Sequence, residues 1–415
     1  MTSSYVFIGR QPILDENGTT VAYELLYRDG KTTGFPGIDG SEATSRILYN
    51  LLMTSGIEEI VGDRPAFINF TKKILLSGLP AMDPKRIVIE ILEDTVVDAA
   101  LIETITDLAQ KGFRIALDDF SFDASFTPLL GLASVIKVDW RAQAQAEIPR
   151  LLSGLHGFRG RFLAEKIETR EEYHAARDQG FSLFQGYFFT RPETVRGRDI
   201  PTSSWSLLSI LSAIQRPEMD VDELTELIGR DPALCHKLLL MVNAAGNGLK
   251  HAVSSIRQAI VLLGEQEIRR WFSFLLLYHV REEKTPELLL TASVRARFLE
   301  ALAVSCGKAE IGPALHLTGL LSILDALLGK PMEECLGRLP LDPAIPEAIL
   351  RQRGPLRPWL DLVLAHERAD VEAVEAAAVV LGITSVDVIE AYLTAISWSM
   401  DCVPFASMGN NALIL

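Results

Sequence analysis

The 415-residue sequence predicts two domains of different class: an α/β barrel over residues 1–192 and an all-α domain over residues 205–400. Strand-like and helix-like segments alternate through the first half. After residue 206 only helical periodicity continues. The stretch RPETVRGRDIPTSS, with two prolines and mixed charge, separates the two patterns. We therefore expect a linker at 193–204, and a C-terminal tail at 401–415.

Short runs rich in β-branched and aromatic residues predict the strands of the first half. The runs are 22–27, 66–70, 86–92, 113–120, 134–140, 161–167 and 181–189. Helical stretches lie between most of them. One of these has Thr169 as its predicted N-cap, an acidic first turn and Gly180 as its stop. Seven or so strand–helix units favour a closed barrel over an open sheet.

The composition excludes several classes of protein. Lys and Arg total 40 against 54 Asp and Glu, so the formal charge is −14, which argues against general nucleic-acid binding. The four cysteines form no C-x-x-C pair and no zinc spacing. The N-terminus lacks a signal-peptide pattern, and the most apolar segment, 314–329, is too short to span a bilayer. The expectation is a soluble, cytoplasmic protein with no membrane association.

Polar residues follow or end the predicted strands, which is where barrel enzymes carry their chemistry. They are Asn69, Glu90, Asp118, Asp119, Lys137, Asp139, Glu165, Glu168 and Gln185. Glu24 lies on an early strand, with Arg28 four residues later.

Adjacent carboxylates such as Asp118 and Asp119 disfavour each other's ionisation unless a cation lies between them. Five carboxylates that converge with an amide oxygen form an oxygen-rich site that suits Mg²⁺ or Mn²⁺. The five are Glu24, Glu90, Asp118, Asp119 and Glu165. Two such metals would support attack on a phosphodiester. The alternative is a barrel rim with scattered, solvated charges, which the repetition over several strands disfavours.

Eight motifs in the first half carry a resemblance to a known family. RQPIL, YELLYR, FINF, IEILED, ALDDF, IKVD, LAEKIET and FQGYFFTRP occur in this order over residues 5–192. Their succession resembles the EAL domain. The resemblance implies a TIM-like barrel and the metal-dependent hydrolysis of cyclic di-GMP to the linear dinucleotide pGpG.

The resemblance also implies a role for each matching residue. One metal would be held by Glu24, Asn69, Glu90 and Asp118. The second would be held by Asp118, Asp119 and Glu165. The residues expected to serve catalysis are Lys137, Asp139, Glu165 and Glu168: Lys137 would orient the attacking water, Asp139 would support it, and Glu168 would steady the loop after the paired aspartates. The dinucleotide would be contacted by Gln11, Arg28 and Gln185, with Arg28 on a phosphate.

Three departures from the EAL pattern bear on activity. Leu25 replaces the alanine that gives the family its name. Ser121 and Asp123 stand where the family usually has glycines, and Lys166 replaces another glycine. Two hypotheses therefore stay open: a slow phosphodiesterase with intact metal ligands, or a catalytically silent adaptor that binds cyclic di-GMP or a protein partner.

The second half resembles the HDOD domain, a helical relative of the HD hydrolases that lacks their metal ligands. The matching segments are LIGRDPALCHKLLLMVNAAG and VSSIRQAIVLLG, at 227–246 and 253–264. Ser322 and Ile323 stand where a metal-binding His-Asp pair would stand. The resemblance implies a regulatory module that binds a protein partner. The resemblance of the first half to the EAL domain is compatible with a homodimer, because the loop after the paired aspartates supports dimerisation in that family.

Overall fold

Backbone contacts divide the chain into two compact units, the first formed mainly by residues 1–191 and the second mainly by residues 192–415. The computed structural model describes residues 6–29, 57–79, 82–120, 124–142, 148–155, 157–190, 211, 214, 221–229, 235, 238–239, 242, 253, 255–280, 286–337, 339 and 341–407. The predicted linker at 193–204 lies outside these residues, as does 408–415 of the predicted tail.

The first unit is a closed barrel of eight described strands joined in chain order. The strands are β1 (Val6–Asp15), β2 (Thr20–Asp29), β3 (Ala66–Asn69), β4 (Ile87–Ile91), β5 (Arg114–Leu117), β6 (Val135–Asp139), β7 (Arg161–Glu165) and β8 (Leu183–Gln185). The six pairs of neighbouring strands from β2–β3 to β7–β8 are all parallel. The barrel confirms the predicted fold class.

One strand departs from the predicted alternation. β1 is absent from the seven predicted strand segments, and it pairs antiparallel with both β2 and β8. Gly9 and Pro12 weaken its strand pattern, which explains why the sequence does not reveal it. A short turn returns the chain to β2, and Asp15 Oδ1 accepts hydrogen bonds there from the backbone N–H groups of Asn17 and Thr19 at 2.9 Å.

Short helices connect the parallel strands. They are α1 (Glu58–Val61), α2 (Lys72–Ser77), α3 (Ala99–Gln110), α4 (Thr127–Leu130), α5 (Ile148–Gly154) and α6 (Arg170–Asp178). The predicted N-cap of α6 is confirmed: the Thr169 side chain accepts from the Glu172 backbone, and the Glu172 side chain accepts from the Thr169 backbone. Gly180, with φ 99°, follows the helix as predicted.

The second unit is helical throughout its described part, as predicted. Its helices are α7 (Val221–Gly229), α8 (Ile256–Leu263), α9 (Glu265–Val280), α10 (Pro286–Ser305), α11 (Gly312–Leu321), α12 (Leu324–Leu328), α13 (Met332–Gly337), α14 (Ala344–Leu350), α15 (Arg357–Glu367), α16 (Val371–Leu381) and α17 (Ser385–Ser407). No described helix is by itself long and apolar enough to cross a bilayer; α16 and α17, bent by 106° at their break, meet that criterion only as a pair.

A buried charge network joins three helices of this unit. Glu300 on α10 accepts from Arg270 Nε and Nη2 on α9, both at 2.8 Å. It also lies 3.3 Å from Arg297 Nη1 and 3.1 Å from His316 Nδ1 on α11. Burial raises the pKa of Glu300, but His316 and Arg270 outweigh this effect and hold the pKa well below its usual range. The carboxylate is therefore a fixed anion between α9, α10 and α11.

Candidate metal centre

One layer of apolar side chains, with one residue from each described strand, forms a buried core in the barrel. The layer consists of Ile13, Ala22, Phe67, Val88, Ala116, Val135, Leu163 and Leu183. Side chains alternate between the two faces of a strand, so a step of two residues reaches the same face again. Towards the same end of the barrel, this step increases the residue number by two in β2 to β8. It decreases the residue number by two in β1, because β1 is antiparallel to its neighbours.

That step reaches a polar residue in every case. The polar layer consists of Gln11, Glu24, Asn69, Glu90, Asp118, Lys137, Glu165 and Gln185. All of them except Glu90 line one cavity. Strand periodicity and barrel closure thus bring together eight of the residues that the sequence predicts for the site.

Lys137 contacts four carboxylates of the polar layer. Its Nζ atom lies 2.7 Å from Glu90 Oε1, 2.7 Å from Asp118 Oδ1, 2.8 Å from Glu165 Oε1 and 3.4 Å from Glu24 Oε1. The Lys137 side chain is only 1% exposed, so water screens these charges weakly. Four carboxylates can carry more negative charge than one ammonium group balances, so the site can accept further cations.

The titration of these groups is strongly perturbed. Burial raises the pKa of Glu165 to about 8, although the ammonium of Lys137 opposes the rise. Burial likewise raises the pKa of Glu90 well above its usual value. Burial would lower the pKa of Lys137, but the surrounding carboxylates, Glu165 first, raise it well above its usual value. A cation that binds these carboxylates would therefore displace protons.

Two of the carboxylates that contact Lys137 also form a group of oxygen atoms with Asp119. Asp118, Asp119 and Glu165 each offer a carboxylate oxygen, and the three atoms lie within 4.8 Å of one another. Asp119 has a left-handed backbone, with φ 41°, which is uncommon for a residue other than glycine. Burial, followed by the charge of Asp118, raises the pKa of Asp119.

Four buried oxygen atoms of the site have neither a hydrogen bond nor a contact with Lys137 among the described residues. They are Asn69 Oδ1, Glu90 Oε2, Asp119 Oδ1 and Gln185 Oε1. A buried acceptor without a donor costs about 1–3 kcal/mol, so native proteins usually provide it with a partner. Carboxylate and amide oxygens are ligands that Mg²⁺ and Mn²⁺ prefer. The residues present therefore fit a divalent metal centre.

Gln185 closes the polar layer across the seam between β8 and the β1–β2 pair. Its Nε2 atom donates to Gln11 Oε1 at 2.7 Å and to Glu24 Oε2 at 2.5 Å. The next residue, Gly186, has φ 144°, and a Cβ atom there would collide with the backbone of Ile167. The glycine allows the Ile167 N–H to donate to the Gln185 carbonyl at 3.0 Å.

Asp139 is held by three hydrogen bonds. Its Oδ1 atom accepts from the backbone N–H groups of Arg141 and Ala142 at 2.8 and 2.9 Å. Its Oδ2 atom accepts from the ammonium group of Lys166. Burial raises the pKa of Asp139, but these bonds, that of Lys166 first, outweigh the effect and lower it. Asp139 is therefore a fixed anion at the edge of the site.

Arg141 is a site residue that the sequence reasoning missed. Its Nη1 atom lies 2.7 Å from Glu168 Oε1, and its Nη2 atom lies 3.3 Å from Glu172 Oε1. Both Arg141 and Glu168 line the cavity. The arginine thus ties Glu168 to the capping box of α6. The available signal was its position, two residues after the end of β6.

Some predicted site residues cannot be compared with the structure. Arg28 lies on β2, but its side chain lies outside the described part of the chain. Ser121 and Asp123, which replace the glycines of the EAL pattern, also lie outside the described residues. The roles expected for these residues stay predictions.

Two domain families match the chain. The EAL domain matches residues 61–192, and the HDOD domain matches residues 200–328. Among curated proteins, Cyclic di-GMP phosphodiesterase CdgJ of Vibrio cholerae is 34% identical over 399 residues, which cover 95% of this chain and 92% of that protein. The uncharacterized protein YuxH of Bacillus subtilis is 35% identical over 369 residues, which cover 86% of this chain and 90% of that protein.

Solved structures resemble 45% of the chain. The EAL enzyme Bd1971 in its cAMP and cyclic-di-GMP bound form is 19% identical, with a TM-score of 0.36 and 62% of that chain covered. The calcium/cy-diGMP complex of Klebsiella pneumoniae BlrP1 is 22% identical, with a TM-score of 0.37 and 56% of that chain covered. From the two domain matches and the full-length similarity to the curated proteins, the chain belongs to the family that joins an EAL domain to an HDOD domain.

Proposed function

We propose that this protein is a metal-dependent phosphodiesterase that hydrolyses cyclic di-GMP slowly to linear pGpG, and that its HDOD domain regulates or transmits this activity. The single observation that supports the proposal most is the oxygen-rich group formed by Asp118, Asp119 and Glu165 beside buried oxygens that lack donors. The full-length similarity to a relative named as a cyclic di-GMP phosphodiesterase supports the same substrate.

The polar layer and the adjacent Asp119 together could hold two divalent cations. Glu24, Asn69, Glu90 and Asp118 would bind one, and Asp118, Asp119 and Glu165 would bind the other. Two metals about 3.5–4 Å apart supply Lewis acidity to a phosphodiester and lower the pKa of water. Either Mg²⁺ or Mn²⁺ suits this ligand set, because all its donors are oxygen atoms.

The remaining side chains would position the substrate and the attacking water. Lys137 would donate a hydrogen bond to the water and offset charge on the phosphate. Asp139, held by its own hydrogen bonds, would accept from the same water. Gln11, Gln185 and Arg28 would contact the dinucleotide, and attack of the water at one phosphorus would open the ring. Glu168, paired with Arg141, would steady the loop after Asp119.

The test is incubation of the purified full-length chain with cyclic di-GMP and Mg²⁺ or Mn²⁺, with chromatography of the products. We expect slow formation of pGpG that stops on chelation and is lost in Asp118→Asn. In a metal titration, Asp118→Asn should lower the affinity for both ions, whereas Glu24→Gln should mainly lower the affinity for one of them. Binding of cyclic di-GMP without turnover would instead favour an adaptor that signals through the HDOD domain to a protein partner.

A further inference from the structure

Lys166 stands at a backbone position that suits glycine better than lysine. It directly follows Glu165, the last residue of β7, and its φ is 57°. A left-handed backbone is unfavourable for a residue with a Cβ atom. Among the described residues, only three other non-glycine residues have a positive φ, and one of them is Asp119 at the same site. The chain therefore carries a lysine at this position in spite of backbone strain.

The ammonium group of Lys166 faces the acidic side of the site. It forms an ion pair with Asp139 and lies 3.9 Å from Asp119 Oδ2. Asp119 belongs to the group with Asp118 and Glu165 whose oxygen atoms lie within 4.8 Å of one another. A positive charge from the chain itself therefore stands beside the ligands of the proposed second metal.

Lys166 differs from Lys137 in its freedom to move. The Lys137 side chain is 1% exposed and enclosed by four carboxylates, whereas the Lys166 side chain is 55% exposed. A half-exposed lysine can move its ammonium group into water at low cost, because its side chain already lies partly in solvent. The charge beside Asp119 is therefore removable, while the charge of Lys137 is not.

We propose that Lys166 is an intramolecular competitor of the second divalent cation. The inference rests on the proposed function, since it concerns the metal that Asp118, Asp119 and Glu165 would hold. When that ion is absent, the ammonium group partly neutralises Asp119 and Asp139. When the ion binds, repulsion drives the ammonium group away, so part of the binding free energy is lost. The first metal, which would be bound by Glu24, Asn69, Glu90 and the shared Asp118, should be less affected.

A titration with Mn²⁺ alone, in the absence of nucleotide, tests this competition in the full-length chain. The signal of free Mn²⁺ in electron paramagnetic resonance gives the number of bound ions and their affinities. Lys166→Gln removes the charge and retains the Cβ atom, and Lys166→Gly removes both. Lys166→Arg retains the charge. Lys111→Gln is the matched control, because Lys111 pairs with Asp107 on the exposed face of α3 and is not part of the cavity lining.

We expect Lys166→Gln and Lys166→Gly to raise the affinity for the weaker ion about tenfold, an effect limited by the exposure of the lysine. Lys166→Arg and Lys111→Gln should bind Mn²⁺ like the wild type. The inference is overturned if the wild type and Lys166→Gln bind Mn²⁺ equally, or if only Lys166→Gly gains affinity, because strain rather than charge would then be responsible.

Hydrolysis of cyclic di-GMP, measured separately, distinguishes failure of this inference from failure of the proposed function. Turnover by the wild type with unchanged Mn²⁺ affinity in Lys166→Gln would retain the function and remove the competition. Improved Mn²⁺ binding in Lys166→Gln without turnover in any variant would retain the competition and remove the function.

Discussion

At the scale of single residues, the site is defined by a balance between one buried ammonium group and several carboxylates. Lys137 contacts Glu24, Glu90, Asp118 and Glu165 with almost no exposure to water. Removal of one partner from a buried ion cluster is costly, because the remaining charges are left without compensation. The metal ligands and the lysine therefore depend on one another for their stability.

Lys137→Met should expose this dependence. In the presence of a chelator at neutral pH, we expect the free energy of unfolding of the barrel to fall by about 3–5 kcal/mol. Mn²⁺ should restore more stability to this variant than it adds to the wild type, because the ion replaces the lost charge. Denaturant titration with and without Mn²⁺ measures both effects. Lys111→Met, on an exposed pair, should change stability by less than about 0.5 kcal/mol. Equal effects of the two substitutions would contradict the central role of Lys137.

At the scale of structural elements, the connection after β8 depends on the absence of a side chain. Gly186 packs against the backbone of Ile167, and this contact holds the Gln185 carbonyl against the Ile167 N–H. The position of the Gln185 side chain in the polar layer follows from this packing.

Gly186→Ala should destabilise the barrel by more than the strain of a positive φ alone. Gly180→Ala is the matched control, because Gly180 has φ 99° but nothing within 4 Å of an added Cβ. We expect the control to lose about 1–2 kcal/mol from backbone strain and Gly186→Ala to lose more, because of the collision with Ile167. Thermal or chemical unfolding of both variants gives the difference. Equal losses would show that Ile167 moves aside freely.

In the helical unit, Glu300 on α10 is a buried anion that contacts Arg270 on α9 and His316 on α11. Glu300→Gln should lower the free energy of unfolding by about 3–5 kcal/mol at pH 7, since it removes the buried carboxylate shared by Arg270, Arg297 and His316. Glu347→Gln is the control, because its partner Arg353 is 64% exposed and the pair contributes about 0–1 kcal/mol.

Comparison of the wild type with Glu300→Gln also gives a prediction about pH. The pKa of Glu300 is depressed in the folded state, so the stability that it contributes is present above the unfolded pKa of about 4.3 and is lost as the pH falls towards the folded pKa. The difference in unfolding free energy between the wild type and Glu300→Gln should therefore shrink between pH 7 and pH 3. A constant difference would indicate that the carboxylate has an ordinary pKa in the folded chain.

At the scale of the whole molecule, the chain has two compact units with separate secondary structure, and within the described residues a carboxylate-rich metal-binding group occurs in the barrel alone. Calorimetry of the full-length protein should resolve two unfolding transitions. Because a ligand stabilises only the state that binds it, Mn²⁺ should raise the temperature of the barrel transition and leave the helical one nearly unchanged. Asp118→Asn should abolish most of that rise. A rise of equal size in both transitions would contradict a metal centre confined to the barrel.

Much of the site follows from local sequence. Strand alternation alone predicts that Glu90, Lys137 and Glu165 share a strand face with the buried residues two positions before them. The capping box at Thr169 depends only on neighbours in the chain. These features are predictable because strand alternation and helix capping are local rules.

The remainder depends on contacts between distant segments. The Lys166–Asp139 pair joins residues that are 27 positions apart, and the contact of Arg141 with Glu172 spans 31 positions. The left-handed backbone of Asp119 also has no signature in its sequence, since aspartate is common in other conformations. β1 was hidden for a related reason, because its glycine and proline obscure the strand and its partners lie at both ends of the barrel sequence.

The seam at Gln185 has a consequence for synthesis on the ribosome. Gln185 joins Glu24, a residue that is translated 161 positions earlier, and β8 is the last strand of the barrel to emerge. A nascent chain that stops before β8 already contains every carboxylate of the site, yet its polar layer is open and β1 presents an unpaired edge. Such a fragment could recruit another chain to that edge. The three residues of β8 thus complete the site and remove a route to aggregation in the same step.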